Sequence, residues 1–147
     1  MSTFADSSAL VKLYADESGH RAIRGLELLV ISAITRVEVP SALWRKARTR
    51  ELDDVAASIL VSAFELDFHG DLSSEPRFTI VSLTEPVLVV AAREAARHAL
   101  RADDAVQLAS ALAVRATDSR CSHFACFDAD LRRAASRESF TLVPETA

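Results

Sequence analysis

The chain has few of the features that nucleotide-binding enzymes and secreted proteins are built on. It holds three glycines in 147 residues, Gly19, Gly25 and Gly70. None forms part of a phosphate-cradling glycine loop, which argues against a nucleotide-binding enzyme. Cys121 and Cys126 are its two cysteines, too few for a disulfide framework. With no basic-then-apolar segment at the N-terminus, the expectation is a cytoplasmic protein whose thiols stay reduced. The longest apolar stretches, such as Val87 to Ala92, fall well short of the roughly 18 residues that suggest a membrane span, so no membrane partner is expected. A basic excess is missing too. Lys and Arg number 17 against 21 Asp and Glu, a net charge of −4. Generic phosphate binders need clustered cations. Net charge does not settle the matter, because carboxylates gathered around a cation lower it while a basic patch elsewhere keeps its local field.

Half of the residues are hydrophobic, enough for the core of one domain spanning residues 1–147. Thr3 to Asp6 reads as a short strand ending at an acid, with Ser7 and Ser8 as caps for a helix bearing Ala9, Leu10, Leu13 and Tyr14. Leu28 to Ser32 suits a buried strand. Ser32 or Thr35 opens the next helix, in which Pro40 would clash with the Arg36 carbonyl and so predicts a kink past Glu38 or a helix start near it. Asp53 to Phe68 has helical spacing, Phe78 to Leu83 is a strand, and Pro86 to Leu100 is a helix. A further helix is capped by Asp103 or Asp104 and runs to about Thr117. Phe124 to Phe127 forms a strand ending at Asp128, then come a helix with Leu131, Ala134 and Ala135 and a last strand, Phe140 to Val143. Short apolar strands alternating with helices predict an α/β fold, a parallel sheet covered on both faces.

In such sheets ligands collect beyond the carboxyl ends of the strands. Asp6, Glu38, Asp104 and Asp128 all fall at or beside those points. Converging carboxylates repel and raise one another's pKa unless a cation sits among them, and an all-oxygen donor set suits Mg²⁺ or Mn²⁺. A single acid at a helix start is more often only a cap, so the weight lies on the set.

The runs Phe4-Ala5-Asp6-Ser7-Ser8-Ala9-Leu10-Val11-Lys12-Leu13-Tyr14, Arg36-Val37-Glu38, Leu100-Arg101-Ala102-Asp103-Asp104-Ala105 through Leu108-Ala109-Ser110-Ala111-Leu112, and Phe127-Asp128-Ala129-Asp130-Leu131 resemble the successive motifs of VapC-type PIN domains. Each is weak alone. In this order they cover nearly the whole chain. The resemblance implies a three-layer α/β/α PIN-like fold and a Mg²⁺-dependent endoribonuclease, the toxin of a toxin–antitoxin pair. Asp6, Glu38, Asp104 and Asp128 match the acidic metal-binding positions, with Asp130 as a fifth and Ser7 as a small hydroxyl beside the first. It also implies an RNA substrate, a cognate VapB-like antitoxin and a homodimer. Pro40 departs from the pattern.

Other features are weaker. Arg45, Lys46, Arg48 and Arg50, and the series Arg93, Arg97 and Arg101, are candidate RNA-facing edges, although a helical charge run is usually a solvated face. Cys121, His123 and Cys126 lack the paired spacing of a structural zinc site. His20, His69 and His98 show no partner pattern. A receiver-like module or haloacid-type phosphatase is disfavoured because Ser8 stands where the phosphatase wants a second acid. A non-catalytic PIN-fold interaction module is disfavoured by the intact acids. Asp103 and Asp104 point about 100° apart on their helix. Asp104 heads the apolar stripe of Leu108, Ala111 and Leu112, so it is the expected ligand, whereas Asp103 shares a more polar side with Gln107 and Ser110.

Overall fold

The computed structural model describes residues 1–147. In chain order the elements are β1 Ser2–Ala5, α1 Ser7–Tyr14, α2 His20–Arg24, β2 Leu29–Ser32, α3 Thr35–Arg48, α4 Asp54–His69 and β3 Thr79–Val81, followed by α5 Glu85–His98, α6 Ala102–Thr117, β4 Cys121–Ala125, α7 Ala129–Arg137 and β5 Thr141–Val143. All five strands are parallel, in the order β3-β2-β1-β4-β5. This is the expected α/β class.

Strand periodicity sorts the core into two halves. On β1, Phe4 faces one side and Ala5 the other, while on β2 Val30 joins Phe4 and Leu29 and Ile31 join Ala5. Residues of α5, α6 and α7 cover the Phe4 face, where Phe4 and Phe140 both pack against Phe124. Residues of α1, α3 and α4 cover the other, around Phe64 and Leu43. Both faces of the central sheet are therefore covered, which is why β2 reads as an apolar run.

Several boundaries differ from the sequence expectation. Asp6 itself is the N-cap of α1, its carboxylate accepting from Ala9 N, so neither Ser7 nor Ser8 has that role. The helix α6 starts at Ala102 with Arg101 at the cap position, which puts Asp103 and Asp104 inside the first turn instead of before it. A single α3 runs from Thr35 through Pro40 to Arg48, so it starts three residues ahead of Glu38. The short α2 has too few residues to show a period. Strand β4 begins at Cys121, ahead of the apolar run, because β1 on one side and β5 on the other pair with its polar residues as well.

The strand order changes direction between β1 and β4. From β1 the chain passes to β2 and β3 on one side, while β4 and β5 add on the other. A crevice at the carboxyl ends of β1 and β4 is the binding position that this topology creates.

Candidate active site

Each of these two strands leads to an acid that caps a helix, Asp6 directly after β1 and Asp128 three residues after β4, which ends at Ala125 instead of running to Phe127. Asp6 follows β1, and its backbone N–H bonds to the Ala125 carbonyl of β4 at 3.1 Å. One carboxylate oxygen, Oδ1, accepts from Ala9 N at 3.0 Å and Ser8 Oγ at 2.7 Å. The other, Oδ2, lies 3.3 Å from the buried Cys126 thiol. Ser8 Oγ in turn accepts from Phe127 N at 2.9 Å, which ties α1 to the exit of β4. Asp128 caps α7 through Oδ1, which accepts from Leu131 N at 3.0 Å.

Glu38 enters from the first turn of α3. Its Oε1 accepts from Ser7 Oγ at 3.1 Å and from Gln107 Nε2 at 2.8 Å, and the same amide nitrogen reaches Ser7 Oγ at 3.1 Å. Gln107 is buried on α6, and its own Oε1 has no partner. Asp104 enters from the head of α6, 8% exposed, with Arg101 Nε 3.6 Å away.

Together these side chains line a cleft of about 570 Å³ that also receives Ser7, Asp103, Gln107, Arg45, Lys46 and Arg101. The structure thus brings Asp6, Glu38, Asp104 and Asp128 to one place. Asp130 is not among the lining residues: its side chain is 65% exposed and pairs with Arg133 at 2.8 Å, one turn along α7. Capping by Asp128 turns the next helical positions outward, so the fifth predicted acid faces solvent.

Electrostatics mark the cleft. Burial pushes Asp6 up to about 6, with the nearby Asp128 charge adding to it and the bonds from Ser8, Ala9 and Cys126 opposing. Burial also lifts Asp104 to about 6, helped by Asp128 and Asp103. Glu38 rises to about 6 for the same reason, held back by the hydrogen bonds from Gln107 and Ser7. Burial and then the Asp6 charge push the Cys126 thiol well up, so it stays a protonated donor. Burial is the main cause in all three, and repulsion from neighbouring acids adds to it in each.

The donor set fits a hard divalent cation. Capping and positioning bonds occupy Oδ1 of Asp6 and Asp128 and Oε1 of Glu38, leaving the second oxygen of each with ligating capacity, while Asp104 receives no hydrogen bond from the chain. No three of these acids bring their oxygens within 4.8 Å of one another. A cation here would take one or two of these carboxylates directly and complete its shell with water.

Of the candidate basic edge, Arg45 and Lys46 line the cleft, whereas Arg48 and Arg50 flank a separate surface hollow. Lys46 is paired with Glu17 and, at 3.0 Å, with Glu51; Lys12 also reaches Glu17 at 3.0 Å. Glu17 is therefore the anion that holds two lysines beside the cleft. Arg101 belongs to the cleft, while Arg93 and Arg97 do not. Sequence reasoning placed Gln107 on a polar side and missed its position between Ser7 and Glu38. The signal was its place one turn after Asp103.

Fold and cleft define an α/β protein that gathers carboxylates at a topological switch point. The family model described as PIN domain matches residues 3–137, and the chain belongs to this family. PIN domains are typically metal-dependent nucleases. Among solved structures, the chain is similar to the protein PAE2754 from Pyrobaculum aerophilum, at 23% identity and a TM-score of 0.52, covering 91% of this chain and 87% of the other. That likeness concerns the fold. A comparison with curated proteins gave no significant match.

Proposed function

We propose that this PIN domain is a Mg²⁺-dependent endoribonuclease, with Mn²⁺ as an alternative ion, and the toxin of a toxin–antitoxin pair. The observation that carries the reading is the convergence of Asp6, Glu38, Asp104 and Asp128 in one cleft, three of them with carboxyls raised to about 6. When bound, a divalent cation supplies an activated water and neutralises charge on a phosphodiester. The chain's own contribution is placement. Ser7 and Gln107 fix Glu38, and the two helix caps fix Asp6 and Asp128. Arg45, which has no ion pair, offers the rim a free cation for an RNA phosphate, whereas Lys46 and Arg101 are already paired with acids.

The same acidic cleft suits inhibition by a small VapB-like antitoxin whose basic residue pairs with the carboxylates, and a homodimer is expected from the VapC resemblance. Cleavage of a structured RNA should require Mg²⁺ or Mn²⁺ and stop with EDTA, and Asp6→Asn should abolish it with the fold intact by circular dichroism. Equal cleavage in excess EDTA would sink the reading. Co-purification from the source cell tests the antitoxin, and light scattering at micromolar concentration tests the dimer.

A further inference from the structure

A second cluster lies outside the cleft, where α5 meets the end of α7. Glu94 and His98 stand one turn apart on α5, and Glu138 is the C-cap of α7. His98 Nε2 lies 2.8 Å from Glu138 Oε1 and 3.2 Å from Glu94 Oε2. We propose that Glu94, His98 and Glu138 form a second cation site, for a divalent transition metal of the zinc type, that staples α5 to the corner between α7 and β5.

The hydrogen-bond pattern leads there. One proton on Nε2 serves one carboxylate, and the geometry directs it to Glu138. Glu94 Oε2 is then left without a hydrogen-bond partner although its side chain is only 2% exposed. An unpaired buried carboxylate oxygen is costly. Charging the ring does not cure this, because the Nε2–H still serves one carboxylate; the proton gained on Nδ1 meets no partner, just as when a metal takes Nε2, but without giving Glu94 Oε2 a ligand. A cation held by Nε2, Glu94 Oε2 and Glu138 Oε1 uses all three atoms, which lie within 4.8 Å of one another. Metal bonds of about 2.0–2.2 Å at tetrahedral angles place neighbouring ligand atoms roughly 3.3–3.6 Å apart, so the 2.8 and 3.2 Å found need open by less than about 1 Å. One imidazole with two carboxylates selects zinc-like ions over Mg²⁺ or Ca²⁺. Glu138, the most exposed of the three, leaves room for water to complete the shell.

The surrounding arginines set the affinity. Arg97 approaches Glu138 Oε1 at 3.0 Å and competes for a ligating oxygen. Arg93 touches the other oxygen of Glu94, at 3.4 Å, and Arg115 donates to the Glu138 carbonyl, at 2.7 Å. Neither of these two takes a ligand atom.

The test uses the full chain carrying Asp6→Asn and Asp104→Asn, so that the cleft contributes little and the outcome is independent of the nuclease reading. Calorimetric titration with Zn²⁺ alone should give one equivalent per chain, and Co²⁺ should show ligand-field absorption. Adding His98→Gln should weaken binding at least tenfold, and adding Arg97→Gln should tighten it severalfold. Should His98→Gln fail to fold, Glu138→Gln at the more exposed corner must show the same loss. In addition, Zn²⁺ must shift the His98 ring-nitrogen resonances ahead of those of His20, His69 and His123. No bound equivalent, or binding indifferent to both His98→Gln and Glu138→Gln, overturns the proposal.

Discussion

At the scale of single residues, the neighbours Asp103 and Asp104 show what a carboxylate's surroundings decide. Both line the cleft, but Asp104 is buried and feels Asp128 and Asp6, whereas the Asp103 side chain is 41% exposed with Arg101 at 3.4 Å. Asp104→Asn is therefore expected to abolish metal-dependent cleavage. Asp103→Asn should keep most of it and cost only a first-turn helix-dipole contribution, about 0.3–1 kcal/mol. Cleavage rates and urea midpoints for the two variants check this, and the reverse ranking overturns the assignment. Gln107 acts through Glu38. Gln107→Leu removes a bond that lowers the Glu38 pKa, so the acidic limb of the pH–rate profile should move to higher pH as the maximum rate falls. A lower rate with an unmoved limb would mean a packing role only. The face of α6 carrying Asp103, Gln107 and Ser110 shows why this was hidden in the sequence: Gln107 and Ser110 are buried, Ser110 donating to Ser32 Oγ at 2.9 Å. Polar letters do not tell a side chain that meets water from one that meets another polar group.

At the scale of elements, most of the fold was legible because hydrophobic period and strand length carry it. Starts were less so. Where an acid ends a strand and also caps the following helix, as Asp6 does, strand and helix meet with no loop between them to mark the join. Pro40 is the informative disagreement. Its ring deprives the Arg36 carbonyl of a partner, yet α3 runs on, with Val39 and Leu43 fully buried beside it. Packing outweighs the local penalty here. Pro40→Ala restores an N–H donor and relieves the clash, against a looser unfolded chain, and should stabilise the protein by about 1–2 kcal/mol in urea titrations. Cleavage should stay near wild type, because Ser7 and Gln107 aim Glu38. A matching loss of activity would show that the proline sets that aim.

For the whole molecule, the raised carboxyls of Asp6, Glu38 and Asp104 make stability depend on pH in a definite direction. Between roughly pH 4 and 6 the folded state binds more protons than the unfolded one, so stability falls as pH rises through that window. In EDTA the Tm should accordingly be higher near pH 5 than near pH 7.5, excess Mg²⁺ should recover it at the higher pH, and Asp104→Asn should flatten the slope. Asp71, held at about 2 by Ser73 and Ser74, and Asp118, lowered by Arg120, act in the opposite sense but below this range. An EDTA melting curve that peaks at neutral pH and ignores Asp104→Asn would contradict the account. The strand order has a consequence for synthesis as well. The first strand made, β1, waits between β2 and β4 for a neighbour near the far end of the chain, and Asp128 follows that neighbour. A growing polypeptide therefore lacks one wall of its cleft until residue 128 has left the ribosome tunnel. On the proposed ribonuclease function, the chain is born inert beside the RNA that encodes it, and any chain cut short before α7 stays that way.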